Sequence, residues 1–290
     1  MKEWIYLQYG GILNTTVKLD ILDTGCCYNF EKITCKNKQW KMVAIPALVG
    51  VLHHPVHGVI LFDTGYGKHF FTASQKFPYR FYRWATPVKH KPNQSVAFQL
   101  EQKGIFPSEV NHIILSHFHG DHTGGLKDFP NATIYCSRIA YDSIKNKKGV
   151  SAVKEGYLPH TLPTDIEDRI VFLEDGNLVE LPEQINPFDY GYDIFGDGSV
   201  VAVDIPGHAA GQIGVFINEE TQLTFLCADS SWSNEAIESK MPPHPIAHFI
   251  MNDKRDFYRS FEKVCSLHEK NPSIRIIPTH CHRIWREMNE

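Results

Sequence analysis

Apolar residues along the chain fall into short runs that are separated by turn residues, a pattern typical of β-strands. The runs predict strands over residues 41–52, 58–62, 112–115, 132–136, 200–205, 212–217, 223–227 and 273–277. Short extended segments of this kind cannot form a core alone, so they must pair into sheets whose apolar faces are covered.

Two segments between the strands have the features of helices. Residues 95–103 begin with Ser95, a favourable N-cap residue. Residues 253–270 form an amphipathic pattern at helical spacing. The apolar face of that pattern consists of Phe257, Phe261, Val264 and His268. Strands in each half of the chain with helices interspersed predict a layered α/β or α+β sandwich. Because no linker rich in Pro, Gly or Ser divides the chain, we expect residues 1–290 to form a single domain.

Composition excludes several classes of protein. The 290 residues carry a net charge of −4, with 42% hydrophobic and 21% charged residues, which excludes a disordered chain. No apolar run is long enough for a membrane span, and the first residues do not resemble a secretory signal. A slightly acidic chain without a basic stripe is unsuited to nucleic acid. We therefore expect a small-molecule substrate and no nucleic-acid or membrane partner, and a homodimer remains open.

The seven cysteines are scattered along the chain, and none forms a Cys-x-x-Cys pair. Their spacing indicates neither a disulfide framework nor a cysteine-rich zinc site. Free thiols are typical of a reducing compartment, so we expect a cytoplasmic protein.

The chain also contains 16 histidines, and the most informative group directly follows the strand predicted at 112–115. The segment His-Phe-His-Gly-Asp-His supplies four candidate metal ligands, His117, His119, Asp121 and His122. Alternate residues of an extended segment point the same way, so His117 and His119 can reach one ion together. Beyond the glycine, Asp121 and His122 can face a second point. Imidazole and carboxylate are ligands that zinc and iron accept.

Three later candidates, His208, Asp229 and His280, each follow a predicted strand. Sites commonly lie at the carboxyl ends of strands in open sheets. Seven ligands at one edge divide naturally between two metal ions. One ion would have three histidines and the other would have two histidines and an aspartate, with Asp229 as the bridge.

The His-x-His-x-Asp-His motif and the three later ligands resemble the metallo-β-lactamase superfamily. The resemblance implies an α+β fold, a four-layered αβ/βα sandwich, with two divalent ions, zinc or alternatively manganese or iron. It implies that His117, His119 and His208 hold the first ion, that Asp121, His122 and His280 hold the second, and that Asp229 bridges them. It also implies that Asp63, in an Asp-Thr-Gly turn, supports the metal-binding loops.

Such a site indicates a hydrolase. Two divalent ions lower the pKa of a shared water and polarise a carbonyl or phosphoryl oxygen, and Asp121 could pass a proton to the leaving group. Chain length and ligand set are most similar to N-acyl homoserine lactonases, which implies attack by metal-bound hydroxide on a lactone or ester carbonyl. Two alternatives stay open: a thioesterase or phosphodiesterase of the same fold, and a mononuclear iron enzyme that oxidises sulfur with dioxygen.

One position departs from the lactonase pattern. Those lactonases carry a tyrosine three residues after the bridging aspartate, where this chain has Trp232. An indole N–H can donate a hydrogen bond to a substrate, but it cannot exchange a proton as a phenol does. The sequence leaves open whether Trp232 replaces that tyrosine.

Two further groups have less specific interpretations. Residues 70–84 are rich in aromatic side chains, which fits a lid over an apolar substrate, a dimer contact, or simple packing on the sandwich. His53, His54 and His57 have no carboxylate at ligand spacing, and we interpret them as surface or turn histidines.

Overall fold

The computed structural model of the chain describes residues 15–288 and 290. Within that part of the chain, thirteen strands form two sheets. The strands of the first sheet are β1 (Lys18–Phe30), β2 (Met42–His54), β3 (Gly58–Phe62), β4 (Val88–Lys89), β5 (His112–Ile114), β6 (Thr133–Cys136) and β7 (Ile170–Phe172). The strands of the second are β8 (Asn177–Glu180), β9 (Tyr190–Asp193), β10 (Val200–Asp204), β11 (Ile213–Asn218), β12 (Leu223–Ala228) and β13 (Arg275–Pro278).

The first sheet has the order β4-β1-β2-β3-β5-β6-β7. Strands β4, β1, β2 and β3 pair antiparallel, whereas β3, β5, β6 and β7 pair parallel. Parallel strands end at the same edge of a sheet. The loops after β3 and β5, which contain Asp63 and the histidine motif, therefore lie side by side.

The second sheet has the order β13-β12-β11-β10-β9-β8 and is antiparallel except between β12 and β13. Strands β10, β12 and β13 consequently run in the same direction. His208, Asp229 and His280 follow these three strands, so the topology brings them to one edge.

Helices connect the strands, and several of them cover the outer faces of the two sheets. They are α1 (Glu31–Thr34), α2 (Lys68–Ala73), α3 (Arg80–Ala85), α4 (Val96–Gln102), α5 (Gly120–Thr123), α6 (Arg138–Ile144), α7 (Val150–Lys154), α8 (Ile166–Arg169), α9 (Asn234–Glu238), α10 (Lys254–Lys270) and α11 (His282–Glu287). No helix within the described residues is both long and apolar enough to cross a bilayer.

Two apolar clusters show the order of the layers. The larger cluster joins the two sheets, with Leu52 and Phe62 from the first sheet and Phe225 from the second, and it also includes Phe257 of α10. A second cluster packs Leu100 of α4 and neighbouring side chains on the other face of the first sheet. The order is helices, sheet, sheet and helices, which confirms the predicted α+β four-layered sandwich.

The predicted elements are present, with strand boundaries that shift by no more than two residues. Ser95 caps α4, with its hydroxyl oxygen accepting from the Phe98 N–H at 3.3 Å. Asp253 caps α10 by accepting from two backbone N–H groups. One detail of α10 differs: His268 is half-buried, and Leu267 is the residue of the last turn that is buried. Apolar Leu267 gains more from this position than an imidazole would.

Candidate metal centre

The seven side chains selected from the sequence lie together at one edge of the stacked sheets. Ligand atoms lie within 4.8 Å of one another in each of three sets: His117, His119 and His208; His117, His122 and Asp229; and Asp121, His122 and His280. Because the sets share members, they form one continuous cluster with two distinct ends. We call the first set the three-histidine group and the last set the carboxylate group.

Asp229 lies between the two groups. Its Oδ2 is 3.2 Å from His208 Nε2 and 3.1 Å from His280 Nε2, and its Oδ1 is 3.6 Å from His122 Nε2. One carboxylate therefore faces histidines of both groups, the geometry that a bridging ligand requires. At the far end of the three-histidine group, His119 Nδ1 is 3.0 Å from His208 Nε2.

The backbone turns sharply at the strand ends that these residues follow. Asp63 and Ala228 have φ values of 64° and 44°, in the left-handed region that non-glycine residues rarely adopt. Gly207, which precedes His208, has a φ of 123°. Such conformations cost free energy and persist where the surrounding packing requires them. Here they turn the chain at strand ends, beside Asp63, His208 and Asp229.

Asp63 supports the histidine motif through hydrogen bonds. Its Oδ1 accepts from the Ser116 N–H at 2.8 Å, and its Oδ2 accepts from the Ser116 hydroxyl and from His122 Nδ1, both at 2.7 Å. The Ser116 oxygen in turn lies 3.0 Å from His117 Nδ1 and can accept its proton. Because both Nδ1 atoms are directed outward to these partners, each Nε2 faces the centre and is the atom available to a metal ion.

The other members of the carboxylate group also have outer partners. His280 Nδ1 donates to the Pro46 carbonyl at 2.6 Å, which directs Nε2 toward the centre. The Tyr82 hydroxyl donates to Asp121 Oδ1 at 2.9 Å. Trp232, which the sequence places near the site, donates through its indole N–H to Asp229 Oδ2 at 3.1 Å.

The protonation states differ between the two groups. Burial holds the pKa of His117 well below its ordinary value and lowers that of His208 to about 3. Burial opposes protonation of His122 as well, but Asp63, Asp121 and Asp229 together raise its pKa to about 10. His280 also has a raised pKa, because Asp229 outweighs the effect of burial. Neutral imidazoles thus dominate one end of the centre and charged ones the other.

The carboxylates are ionised. Burial alone would raise the pKa of Asp229, but His280, His208 and His122 hold it well below its ordinary value. The pKa of Asp121 is also lowered, because His122 and His280 outweigh burial. Burial and the adjacent Asp121 hold the pKa of Tyr82 well above its ordinary value, so the phenol keeps its proton.

Divalent metal ions fit this donor set. Among the described residues, His117 Nε2, His122 Nε2 and Asp229 Oδ1 are buried without a hydrogen-bond partner, although they face one another. Unpaired polar atoms in the interior cost free energy unless they are satisfied. Two cations, one in each group with Asp229 between them, would satisfy all three atoms. Mixed imidazole and carboxylate donors suit zinc.

The ligands of the centre differ in burial. His117 and His122 are fully buried, whereas His119 and Asp121 are half-buried. A cavity of about 100 Å³ lies beside His119 and His208. Its lining includes Phe118, Ile144, Ile250, Met251, Lys154 and Glu155. A ligand that reaches the centre from this side meets a mixed lining, in which polar side chains such as Ser143 and Asn252 accompany the apolar ones.

The aromatic stretch at 70–84 divides into two faces. Phe77, Phe81 and Trp84 are exposed and stack edge to face. Phe70 is fully buried and contacts the ring of Tyr82. Tyr82 was predicted only as a member of the aromatic stretch and not as a neighbour of the metal centre, and helical spacing is the signal that could have separated it from the exposed face. Ser116, a neighbour of the motif, was also missed.

The family to which the chain belongs follows from comparison with known proteins. The family model described as Metallo-beta-lactamase superfamily matches residues 44–235. The chain belongs to the metallo-β-lactamase superfamily. The match includes the histidine motif, His208 and Asp229, whereas His280 lies beyond it.

Relatives of known sequence in this superfamily include bacterial lactonases. The N-acyl homoserine lactonase AttM of Rhizobium radiobacter is 26% identical over 200 residues, which are 69% of this chain and 68% of that protein. The N-acyl homoserine lactonase AiiA of Bacillus thuringiensis subsp. kurstaki is 24% identical over 230 residues, 79% of this chain and 81% of that protein.

Solved structures share the fold. An N-acyl homoserine lactone hydrolase with the product N-hexanoyl-L-homoserine bound at its catalytic metal centre superimposes with a TM-score of 0.70 at 23% identity, covering 94% of this chain and 96% of that one. The dizinc quorum-quenching lactonase AidC gives a TM-score of 0.63 at 19% identity, covering 92% and 88%. At these identities the similarity establishes the fold.

Proposed function

We propose that the protein is a hydrolase with two divalent metal ions, most suited to zinc, and that it opens lactones of the N-acyl homoserine type. The observation that carries the proposal is the position of Asp229, whose carboxylate faces histidines of both groups. The lactonases AttM and AiiA support the choice of substrate class.

The chain provides distinct parts for such a reaction. The seven side chains would hold the ions, which when bound lower the pKa of a shared water and polarise a carbonyl oxygen. Asp121 lies on the half-buried side of the centre, where its carboxylate can carry a proton to the departing alkoxide oxygen. The cavity beside His119 offers the acyl group both polar and apolar neighbours.

A hydrolysis panel on zinc-loaded protein tests the proposal. The panel contains an N-acyl homoserine lactone, a thioester, a phosphodiester and a β-lactam, with dioxygen consumption on a persulfide as a separate assay. We expect two zinc ions per chain and fastest turnover of the lactone. Preference for another substrate would replace the lactone in the proposal, and one iron with dioxygen consumption would overturn it.

Substitution of the bridging residue is the second arm of the test. We expect Asp229→Ala to lower kcat/KM for the lactone by more than about 100-fold, since both groups lose a shared ligand. The matched control is His53→Ala, because His53 pairs with Asp20 away from the centre. Full activity in Asp229→Ala would contradict the proposal.

We also propose that the protein acts in the cytoplasm. All seven cysteines are free and buried. Free thiols are typical of reducing compartments, and disulfides of oxidising ones. Fractionation of the source cells with detection of the protein in each compartment tests this part of the proposal.

A further inference from the structure

We propose that Tyr82 is a positioning residue for Asp121, and that its hydroxyl fixes which carboxylate oxygen faces the second metal ion. The inference rests on the proposed function, because it assumes that the carboxylate group holds an ion. It assigns a role to a residue that lies outside the histidine motif and in a different segment of the chain.

The first observation is the arrangement of the Asp121 carboxylate. Its Oδ1 accepts from the Tyr82 hydroxyl at 2.9 Å, while its Oδ2 is 3.6 Å from His280 Nε2. A carboxylate whose one oxygen is held by a donor cannot rotate without losing that bond. The other oxygen is therefore kept toward His280 and the centre.

The second observation is that packing holds Tyr82 in place. Its ring contacts the buried ring of Phe70 edge to face, with centroids 5.3 Å apart. Its carbonyl accepts from both the N–H and the hydroxyl of Thr86, which ends α3. Helix α3 is short, and the ring contact together with the bonds at the end of the helix restricts the position of the phenol.

The third observation is that each carboxylate of the centre has its own aromatic donor. Tyr82 donates to Asp121, and Trp232 donates to Asp229 at 3.1 Å. The indole N–H is a single donor and is already used on Asp229. Trp232 therefore does not take over the contact of Tyr82 with Asp121. Removal of the phenol leaves Asp121 Oδ1 without this partner.

The test is the affinity of metal-stripped, full-length protein for zinc, measured by chelator competition for Tyr82→Phe. Outer partners of metal ligands typically contribute about 10- to 100-fold in affinity or activity. We expect the second zinc ion to bind at least about 10-fold more weakly, while the first binds as in the wild type. On the lactone we expect kcat to fall about 10-fold with little change in KM.

Tyr79→Phe is the matched control, because Tyr79 lies in the same segment and its hydroxyl accepts from the Gly149 N–H instead. It should bind both ions as the wild type does. A double-mutant cycle then separates positioning from general structural damage. In an Asp121→Asn background, Tyr82→Phe should have no further effect on the second ion if Tyr82 acts through Asp121.

The outcomes distinguish this inference from the proposed function. If Tyr82→Phe binds both ions as tightly as the wild type, or if its effect persists in Asp121→Asn, the inference is wrong even when the wild type hydrolyses lactones. If the wild type does not hydrolyse lactones but Tyr82→Phe weakens binding of the second ion only when Asp121 is present, the inference holds and the proposed substrate is wrong. Thermal unfolding of the metal-free variants shows that each is folded.

Discussion

The three-histidine group consists of imidazoles alone, whereas the carboxylate group places Asp121 beside two imidazoles. The two groups are also held by different means. A Cβ at Gly156 would lie 2.7 Å from the ring of His119, and a Cβ at Gly207, next to His208, would overlap the backbone of Phe257. Close packing against glycine therefore positions two members of the three-histidine group.

Hydrogen bonds position the carboxylate group instead. His122 donates to Asp63, His280 donates to the Pro46 carbonyl, and Asp121 accepts from Tyr82. Packing fixes a neutral ring without changing its charge, while a hydrogen bond to an anion also stabilises a proton on the ring. One end of the centre is therefore ready to bind a cation, whereas the other must release protons when a cation binds.

The largest expected effect comes from Gly207→Ala, which tests whether packing positions the three-histidine group. Its φ of 123° and the overlap with Phe257 force the backbone to move. We expect the free energy of unfolding, measured by urea denaturation of the metal-free protein, to fall by more than about 3 kcal/mol. Binding of the first zinc ion should weaken with it.

Gly196→Ala is the control for the backbone conformation alone. Gly196 also has a positive φ of 75°, but no atom lies within 4 Å of a Cβ built there. In Gly196→Ala the free energy of unfolding should fall by only about 1–2 kcal/mol, which is the cost of a left-handed conformation for a residue with a side chain. Equal losses in the two variants would show that crowding at Gly207 is not important.

An intermediate effect is expected for Asp63→Asn, which tests the role of hydrogen bonds in the carboxylate group. The amide keeps one acceptor oxygen, so it cannot accept at once from the Ser116 N–H on one side and from the Ser116 hydroxyl and His122 Nδ1 on the other. We expect about 10- to 100-fold weaker binding of the second zinc ion. The loss in the free energy of unfolding should be about 1–3 kcal/mol.

Asp193→Asn is the control for Asp63→Asn. Asp193 is also buried and accepts from two backbone N–H groups, those of Gly196 and Gly198. In Asp193→Asn the free energy of unfolding should fall by a similar amount, while the affinity for zinc should not change. Unchanged affinity in Asp63→Asn as well would refute the view that hydrogen bonds position this group.

The smallest effect is a difference in pH dependence between the two ions. His122 has a pKa of about 10 in the metal-free protein, so below that pH an ion must displace its proton. Affinity for the second ion should rise with pH, by up to about tenfold, between about pH 7 and pH 8. His208, with a pKa of about 3, is already neutral there, so the first ion should show no such rise from it.

Calorimetric titration in buffers of different ionisation enthalpy measures the protons released by each ion. Release should accompany the second ion and be small for the first. Equal proton release for both ions would contradict the difference in protonation state between the two groups.

The sequence was sufficient to predict the strands that end at the site and the residues that cluster there. Strand β3, predicted at 58–62, has those bounds in the structure. Such strands are short, apolar and bounded by turn residues, so local pattern alone defines them. The family and fold could also be predicted from local sequence, because four of the seven candidate ligands lie within six consecutive residues.

Other features depend on tertiary contacts that no local pattern encodes. Strand β1 was not predicted, because its apolar alternation is interrupted by Asp23 and a register shift before Cys26. The interpretation of His54 as a surface or turn histidine was wrong in one respect: it is buried and bonded to Asp197 and Ser199, far along the chain. The contact of Tyr82 with Asp121 likewise forms only when distant segments meet.

The buried cysteines have a consequence for how the protein can be studied. Cys136 in β6 and Cys227 in β12 are completely covered, one in each sheet, and burial raises the pKa of both thiols. A thiol reagent can modify them only after the surrounding layer opens. The labelling rate of each thiol therefore reports how often its own sheet opens. Comparison of the two rates with and without zinc would show which sheet the ions stabilise against opening.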